Sequence, residues 1–216
     1  MQKLYPPSSK RKENVIFKKR LSIFVICLLM ILIVGTVGFF VSQTESYNEN
    51  LRNKYPIIKE SEYLIDDAAL SFNDRISLAP FIAKIEVVKQ LPVYTVHIED
   101  KEVGISADME FCQFQVKMVS SISDESFTTD SDGTFVITFA KQFEDSYPTL
   151  ADGTDAICSL EPASGAHSGK CLLFDRTFYY TDSNMALAAY EGDDSLARKI
   201  CSEIDLVEQI KKIRSK

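Results

Sequence analysis

Residues 81–99 have the sequence FIAKIEVVKQLPVYTVHIE. This stretch decides the fold because apolar and polar side chains alternate along two parts of it. Within it, Ala83, Ile85 and Val87 alternate with Lys84 and Glu86, and Tyr94, Val96 and Ile98 alternate with Thr95, His97 and Glu99. A period of two predicts strands that bury one face and expose the other. Leu91-Pro92 predicts a turn between two such strands.

The same alternation continues downstream. It predicts strands near 112–118 and 135–139, and β runs at 155–160 and 170–180, with turn sequences between them. No helix long enough for a parallel crossover separates these runs. The sequence therefore predicts a mainly β (α+β) domain, built as a small antiparallel barrel or sandwich over residues 81–190.

Helical periodicity flanks this β region on both sides. Apolar residues recur at intervals of three and four from Ile57 to Ile76, after Pro56 at the first helical position. A second apolar stripe follows the Asp193-Asp194-Ser195 cap sequence. We predict amphipathic helices at 57–76 and 194–214.

The N-terminal quarter of the chain has the features of a membrane anchor. Residues 21–41 contain no charged side chain, and a helix of that length would extend about 31 Å, the thickness of the hydrocarbon core. We predict a basic cytoplasmic tail (1–20), a transmembrane signal anchor (21–41) that contacts the lipid bilayer, a polar stalk (42–55) and an extracytoplasmic domain (56–216). A cleaved signal peptide fits less well, because no A-x-A-like site follows the apolar run.

The distribution of charge sets the expected orientation. Residues 1–20 hold seven of the 24 basic residues but only one of the 31 acidic ones. Basic residues beside a span stay in the cytoplasm, so the C-terminal domain is expected outside it. That domain is strongly acidic, which argues against nucleic acid as a partner because such binding needs clustered basic residues.

The predicted extracytoplasmic domain contains four cysteines. Cys158 and Cys171 flank a Gly/Ser-rich turn and are a candidate disulfide pair across a hairpin; the alternative is that all four are buried thiols. The set Cys158, His167 and Cys171 matches no common zinc spacing. Asp130 and Asp132 begin like a calcium loop, but Lys141 occupies the position of the required glutamate. We predict no metal and no cofactor.

Two other groups of residues are candidate functional positions. Sortases are similar in having an N-terminal anchor and a β-barrel of about this size, and they use a Cys, a His and an Arg. That likeness implies Cys171, His97 and Arg176 as candidate catalytic residues, although the T-L-x-T run that precedes a sortase cysteine is absent here. Tyr179 and Tyr180 are candidate contact residues, with packing inside a strand as the alternative.

The order of segments also resembles a family. Residues 81–88, 91–96, 114–119, 134–138 and 147–153, the last leading into 156–161, resemble uncharacterised exported domains of Gram-positive bacteria that are similar to small OB-like β-barrels. The resemblance covers about residues 80–180. It implies a fold and a compartment, and it implies no active residues.

Together these observations predict a membrane-anchored binding or interaction domain of the cell envelope, and not an enzyme. Its expected partner is an envelope protein, a wall polymer or a small ligand. Two alternatives remain: a sortase-like thiol enzyme, and an accessory subunit of a membrane complex that would expose apolar residues around Ile204, Val207 and Ile210.

Overall fold

The computed structural model describes residues 50–58, 70–100, 104–123, 127–190 and 201–216. The chain divides into two units, Met1–Asn53 and Lys54–Lys216, and of the first unit only the helical residues 50–53 are described. The predicted tail, membrane span and most of the stalk lie outside the described residues. Within the part of the chain that is described, no helix is both long enough and apolar enough to cross a bilayer.

The described part of the second unit contains seven strands, two α-helices and two short 3-10 helices. The strands are β1 (Phe81–Asp100), β2 (Ile105–Ser121), β3 (Thr134–Ala140), β4 (Asp155–Pro162), β5 (Cys171–Asp182), β6 (Met185–Ala188) and β7 (Cys201–Ser202). The helices are α1 (Phe72–Leu78) and α2 (Glu203–Arg214), and the 3-10 helices span Lys141–Ser146 and Gly165–His167.

Five of these strands form a closed barrel. The strand order is β3-β2-β1-β4-β5, and every neighbouring pair in this series is antiparallel. A single parallel pair, Ile137 with Cys171, joins β3 to β5 and closes the barrel. β6 and β7 extend the sheet beyond β5. The predicted mainly β fold with a small barrel is confirmed.

The predicted turn at Leu91-Pro92 is wrong, because β1 continues through it as one strand of 20 residues. The register with β2 shifts between Leu91 and Tyr94, so Pro92 falls in a bulge where its missing N–H breaks no ladder hydrogen bond. Gln113 of β2 donates its Nε2–H to the Pro92 carbonyl at 2.6 Å, which ties the bulge to the neighbouring strand.

The inward faces of the strands fill the barrel as the alternation predicts. Ile85, Val87 and Val116 have no exposed surface, and Ala83 lies opposite Cys158 on the same inner face. The outward face of β1, β4 and β5 is buried as well, because Ile82, Ile157 and Tyr179 pack against α1 and α2. These three belong to one cluster with Phe72, Ile76, Leu206 and Ile210.

The described helices cover only part of the two predicted helical ranges. The N–H of Ile58 donates to the Ala189 carbonyl at 2.8 Å, so residues 57–58 are not helical, and residues 59–69 lie outside the described chain. α1 starts after Ser71, whose Oγ accepts the Asp74 N–H. At the other end Cys201–Ser202 pair with β6, so α2 starts at Glu203, and residues 194–200 are not described.

Two polar contacts fix the helices to the barrel and to each other. Lys84 on β1 forms an ion pair with Glu203 in the first turn of α2 at 2.7 Å. Arg214, the last residue of α2, donates to the carbonyl oxygens of Ile76, Ser77 and Ala79 at the end of α1. These carbonyls lack partners within the helix, so the guanidinium satisfies them. The helices thus cover one side of the barrel and leave the other open.

Candidate functional site

The side of the barrel that α1 and α2 do not cover is the outer surface of β2 and β3, where Thr134 and Thr138 are nevertheless buried. Because Cys112, Phe114 and Val116 point inward, the alternate positions of β2 point outward, and the same holds for β3 around Ile137. We call the outward set the β2–β3 face: Gln113, Gln115, Lys117, Thr134, Val136 and Thr138. The helices α1 and α2 pack on the face of β1, β4 and β5 instead, and the 3-10 helix that ends at His167 reaches the Thr138 end of the β2–β3 face through Tyr94.

A two-stranded ribbon borders this face on one side. Beyond the barrel, residues 94–100 of β1 pair only with residues 105–111 of β2. The ribbon is amphipathic: Val96 and Met109 are a half-buried pair on one face, and His97 and Asp108 are an exposed pair on the other. His97 Nδ1 lies 2.7 Å from Asp108 Oδ1.

The other border is the loop between β4 and β5, and an aromatic cluster joins it to the ribbon. The Tyr94 hydroxyl lies 2.7 Å from His167 Nδ1 and 3.0 Å from Thr138 Oγ1. The ring of Tyr94 stacks on Phe111, and the Lys170 ammonium lies 4.4 Å from the centroid of the same ring. We call these five residues the Tyr94 cluster.

The hydrogen bonds of this cluster have a defined direction. Thr138 donates its one hydroxyl proton to the buried Cys112 carbonyl at 2.8 Å. Its oxygen must therefore accept from Tyr94, and the Tyr94 oxygen must accept from His167 Nδ1–H. Nε2 of His167 takes no part in the chain. The arrangement fits both the neutral Nδ1–H tautomer and the imidazolium.

Next to the cluster, the β3 groove runs along the seam where β3 meets β5. Its volume is about 390 Å³, and its wall includes Thr134 and Val136 of β3, the loop residues Gly169 and Lys170, and Asp130 from the turn before β3. The groove therefore continues the β2–β3 face towards the β4–β5 loop. Lys170 belongs to both the groove and the Tyr94 cluster.

The chemistry that this surface offers is polar recognition. Gln113 and Gln115 use their Nε2 donors on Pro92 O and Thr134 Oγ1, and neither Oε1 receives a donor from the described residues. Lys170 forms no ion pair with any residue that is described, and its ammonium lies against the ring of Tyr94. Two amide oxygens on this surface can therefore accept hydrogen bonds from hydroxyl groups, and one ammonium group can pair with an anionic group.

The structure does not bring the candidate catalytic residues together. Cys171 of β5 pairs with Ile137 of β3, and Ile137 also pairs with Phe114 of β2. Phe114 in turn pairs with Gln90 of β1, so Cys171 and Gln90 lie at the same level of the barrel. His97 lies seven residues further along β1 than Gln90, on the order of 20 Å along the strand. Burial raises the pKa of the Cys171 thiol to about 12, which disfavours the thiolate that a nucleophile needs. Arg176 lies within β5, and its side chain is outside the described part.

Cys158 and Cys171, the candidate disulfide pair, are both buried free thiols in the structure, as is Cys112, while Cys201 is a half-buried free thiol. The predicted facing arrangement across the hairpin is not found: Cys158 lies opposite Phe178 and Cys171 opposite Pro162, because the register shifts between Cys158 and Leu160. Burial raises the pKa of Cys158, and the neighbouring Cys171 adds to the effect.

Tyr179 and Tyr180, the candidate contact residues, are packed within the fold. Tyr179 is 4% exposed and meets Phe72 edge to face, and Tyr180 is 1% exposed and stacks on Tyr55 at 4.3 Å. Both faces of β5 are covered here, one by α1 and the other by the barrel interior. Tyr179 and Tyr180 therefore do not form the predicted contact surface. Their rings pack in the core instead.

The apolar stripe of the C-terminal helix is also largely covered. Ile210 is fully buried and Val207 packs against the core cluster, whereas Ile204 is 65% exposed. A single exposed isoleucine is ordinary on a protein surface. Asp132, the candidate calcium residue, instead accepts the N–H and Oγ1–H of Thr134. Among the described residues, no group of three His, Cys, Asp or Glu side chains is arranged to hold a metal ion.

The sequence analysis did not identify Tyr94, Phe111 and Lys170 as functional candidates. The alternation places Tyr94 on the buried face of a strand, and Lys170 falls at the start of the predicted β run 170–180. A search of known protein families finds no family model that matches the chain, and a search of curated proteins finds no match.

Proposed function

We propose that the chain is a membrane-anchored binding domain of the cell envelope that recognises an extracytoplasmic oligosaccharide through the β2–β3 face and the β3 groove. The single observation that carries this proposal is the pairing of free amide acceptors with an unpaired ammonium, Lys170, on the uncovered side of the barrel. Sugar hydroxyls would donate to Gln113 and Gln115, and an acidic substituent would contact Lys170.

The strand order supports the same proposal by analogy. A five-stranded barrel in which β1 pairs with β2 and β4, and β3 runs parallel to β5, has the connectivity of an OB-like fold. Such barrels bind oligonucleotides and oligosaccharides across strands 2 and 3, between the β1–β2 and β4–β5 connections. Here those connections are the ribbon and the loop that holds His167. The acidic character of the domain favours the sugar over the nucleic acid.

An anchor at residues 21–41 would suit this role. Attachment to the membrane confines the domain to a thin layer beside the wall, where the polymer repeats its binding unit many times. Weak individual contacts are then sufficient, since a high effective concentration compensates for low affinity. The proposal therefore predicts millimolar to micromolar binding of a single oligosaccharide, and much stronger retention on intact wall polymer.

Calorimetry on the full-length chain in mild detergent tests the proposal. The probes are soluble oligosaccharides released enzymatically from the cell walls of the source organism, separated into acidic and neutral fractions. We expect saturable binding of the acidic fraction, about tenfold weaker for Lys170→Met at low salt, as for the loss of one charged hydrogen bond.

Lys141→Met is the matched control, because Lys141 is exposed and paired with Glu110 outside the β3 groove. It should bind the acidic fraction as the unaltered chain does. The proposal fails if no fraction binds, or if Lys170→Met and Lys141→Met weaken binding equally.

A further inference from the structure

A second cavity lies at the end of the barrel and shares no lining residue with the β3 groove. Its volume is about 610 Å³, and it is lined by residues 56–58, by residues 144–145 and 147–151, and by inward-pointing side chains of the barrel. Phe114 and Phe139 point into the barrel, whereas Gln113 and Gln115 point out of it. The cavity is thus independent of the site described above. We call it the acidic pocket.

Four aromatic rings form the inner wall of the acidic pocket: Phe114, Phe139, Tyr147 and Tyr180. Tyr147 stacks on Phe139 at 4.3 Å and 11°, and Phe139 stacks on Phe114 at 5.6 Å. Only Tyr147 is half-buried; the other three rings are at most 5% exposed. The stack therefore continues from the barrel interior outwards and ends in one partly open ring.

The rim of the pocket is negatively charged. Glu144 and Asp145 line it and are exposed, and none of its described lining residues carries a positive charge. Lys141, on the same 3-10 helix, is held by Glu110 at 2.7 Å. Neither carboxylate forms an ion pair with a described residue. Both charges are therefore available to a cation that enters the pocket.

The phenols of the wall add no negative charge at neutral pH. Burial raises the pKa of Tyr147, and burial raises the pKa of Tyr180 to about 12. The Tyr147 hydroxyl makes no hydrogen bond within the described chain. A neutral, electron-rich ring face attracts a cation, and the attraction is largest where the site is dry.

The same chain makes such an arrangement from its own residues nearby. Lys54 places its ammonium 4.8 Å from the ring centroid of Tyr55, which stacks on Tyr180, and the ammonium also pairs with Asp182 at 3.2 Å. This surface thus already places one ammonium group between an aromatic stack and a carboxylate. The acidic pocket offers the same two elements with no internal cation.

We propose that the acidic pocket binds the ammonium group of a second ligand, with Tyr147 as the aromatic contact and Glu144 and Asp145 as the counter-charges. Two sources share this chemistry: the primary ammonium of a lysine-like side chain in a peptide, and a quaternary ammonium. The volume, which is that of a pocket for a drug-sized molecule, leaves room for the group that carries the charge.

Ligand-detected NMR on the full-length chain in mild detergent tests this proposal with four probes. They are n-butylammonium and its neutral analogue 1-butanol, and tetramethylammonium and its neutral analogue tert-butanol. We expect at least one cation to bind saturably and roughly tenfold more tightly than its neutral analogue, as for a partly desolvated cation–π contact. The tighter cation identifies the source.

Two variants localise the binding. Tyr147→Leu and the pair Glu144→Gln/Asp145→Asn should each weaken the preferred cation about tenfold. The matched control Glu99→Gln/Asp108→Asn removes two exposed carboxylates from the ribbon and should change nothing. The affinity for tetramethylammonium should also fall less with added salt than the affinity of an exposed ion pair would, because charges in a partly enclosed pocket are screened less.

The proposal is overturned if each cation binds no more tightly than its neutral analogue, or if the control pair weakens binding as much as Glu144→Gln/Asp145→Asn. These results are independent of the oligosaccharide experiment, because Lys170→Met leaves every lining residue of the acidic pocket unchanged. Failure of one proposal is therefore distinguishable from failure of the other.

Discussion

At the scale of single residues, Tyr94 connects three parts of the chain that are distant in sequence. Its hydroxyl links His167 of the β4–β5 loop to Thr138 of β3, and through Thr138 to the Cys112 carbonyl of β2. Each hydroxyl in this series donates its one proton to the next group and accepts one hydrogen bond from the group before it. The loop is consequently held against the barrel by a continuous series of directed hydrogen bonds.

Tyr94→Phe should lower the free energy of unfolding by about 1 kcal/mol, the net value of a typical hydrogen bond. The substitution keeps the stacking on Phe111 and the contact with Lys170, so it isolates the hydroxyl. Urea unfolding followed by circular dichroism measures the change. Tyr147→Phe is the control, because its hydroxyl has no hydrogen-bond partner among the described residues. Equal effects of the two substitutions would show that the Tyr94 hydroxyl is not structural.

The cysteines lead to a second prediction at this scale. Because burial raises the pKa of Cys171 to about 12, its thiolate is scarce near pH 7.5, and its alkylation should be at least 100-fold slower than that of a free cysteine. Iodoacetamide labelling of the native chain with peptide mass spectrometry measures each rate. Cys201, half-buried, should react before Cys158 and Cys171. Rapid, selective labelling of Cys171 would instead support the thiol-enzyme alternative.

At the scale of secondary-structure elements, the turn before β3 shows how a short segment is fixed. Gly133 has a φ of +80°, a conformation that glycine adopts at little cost, and its N–H donates to the Asp130 carbonyl. Asp132 accepts two hydrogen bonds from Thr134, at 3.1 Å from the N–H and 2.7 Å from Oγ1. These hydrogen bonds lower the pKa of Asp132, because they favour its charged form.

A lowered pKa in the folded state gives a pH dependence of definite sign. The ionised Asp132 stabilises the fold above the ordinary pKa of an aspartate, about 4, and this contribution is lost as the pH falls through the lower folded value. Asp132→Asn should therefore unfold at a lower temperature than the unaltered chain at pH 6, and the difference should shrink below pH 4.

Melting temperatures between pH 6 and pH 3 measure this difference. Asp132→Asn should also be measured in a Thr134→Val chain, which lacks one of the two donors to Asp132. There the substitution should lower the melting temperature by less than it does in the unaltered chain. A difference that stays constant across the acid range would contradict the role of the charge.

Much of this level of structure could be predicted from the sequence, and the errors have identifiable causes. The period of two at Ala83–Val87 correctly predicted which face is buried, because the barrel interior requires an apolar side chain at every second position. Pro92 predicted a turn because a proline is unfavourable within a strand, but a bulge accommodates it. Ile58 fits a helical period, yet its N–H pairs with Ala189. The Tyr94 cluster could not be predicted, because Tyr94 and His167 meet only through the barrel closure.

At the scale of the whole molecule, the two sides of the barrel differ in what packs against them. The side formed by β1, β4 and β5 is covered by α1 and α2 through the core cluster, and it supplies stability. The side formed by β2 and β3 carries the half-buried Gln113 and Gln115 and the exposed Lys117, and we propose that it serves recognition. Neither stability nor the proposed recognition requires the buried thiols or the exposed His97 to act as catalysts. This division is what is expected of a recognition domain on a rigid support.

The proposed anchor leads to a prediction for the intact chain. If residues 21–41 span the membrane with the basic tail inside, protease added to intact cells should remove an epitope tag fused after Lys216 and leave a tag fused before Met1 intact. Immunoblotting before and after permeabilisation measures both. Reversing the charges of Lys18, Lys19 and Arg20 is the control for orientation, and it should expose part of the N-terminal tag. Protection of the C-terminal tag in intact cells would contradict the proposed location.

The seam between β3 and β5 has a further consequence for the motions of the barrel. One residue pair, Ile137 with Cys171, joins these strands, and the β3 groove lies directly along them. A seam with so few hydrogen bonds is where transient opening should begin, so its amide protons should exchange with solvent sooner than those between β1 and β2. A ligand in the groove contacts both sides of the seam and would oppose that opening. Slower amide exchange at Ile137 and Cys171 would then report occupancy of the groove, even for a ligand whose identity is unknown.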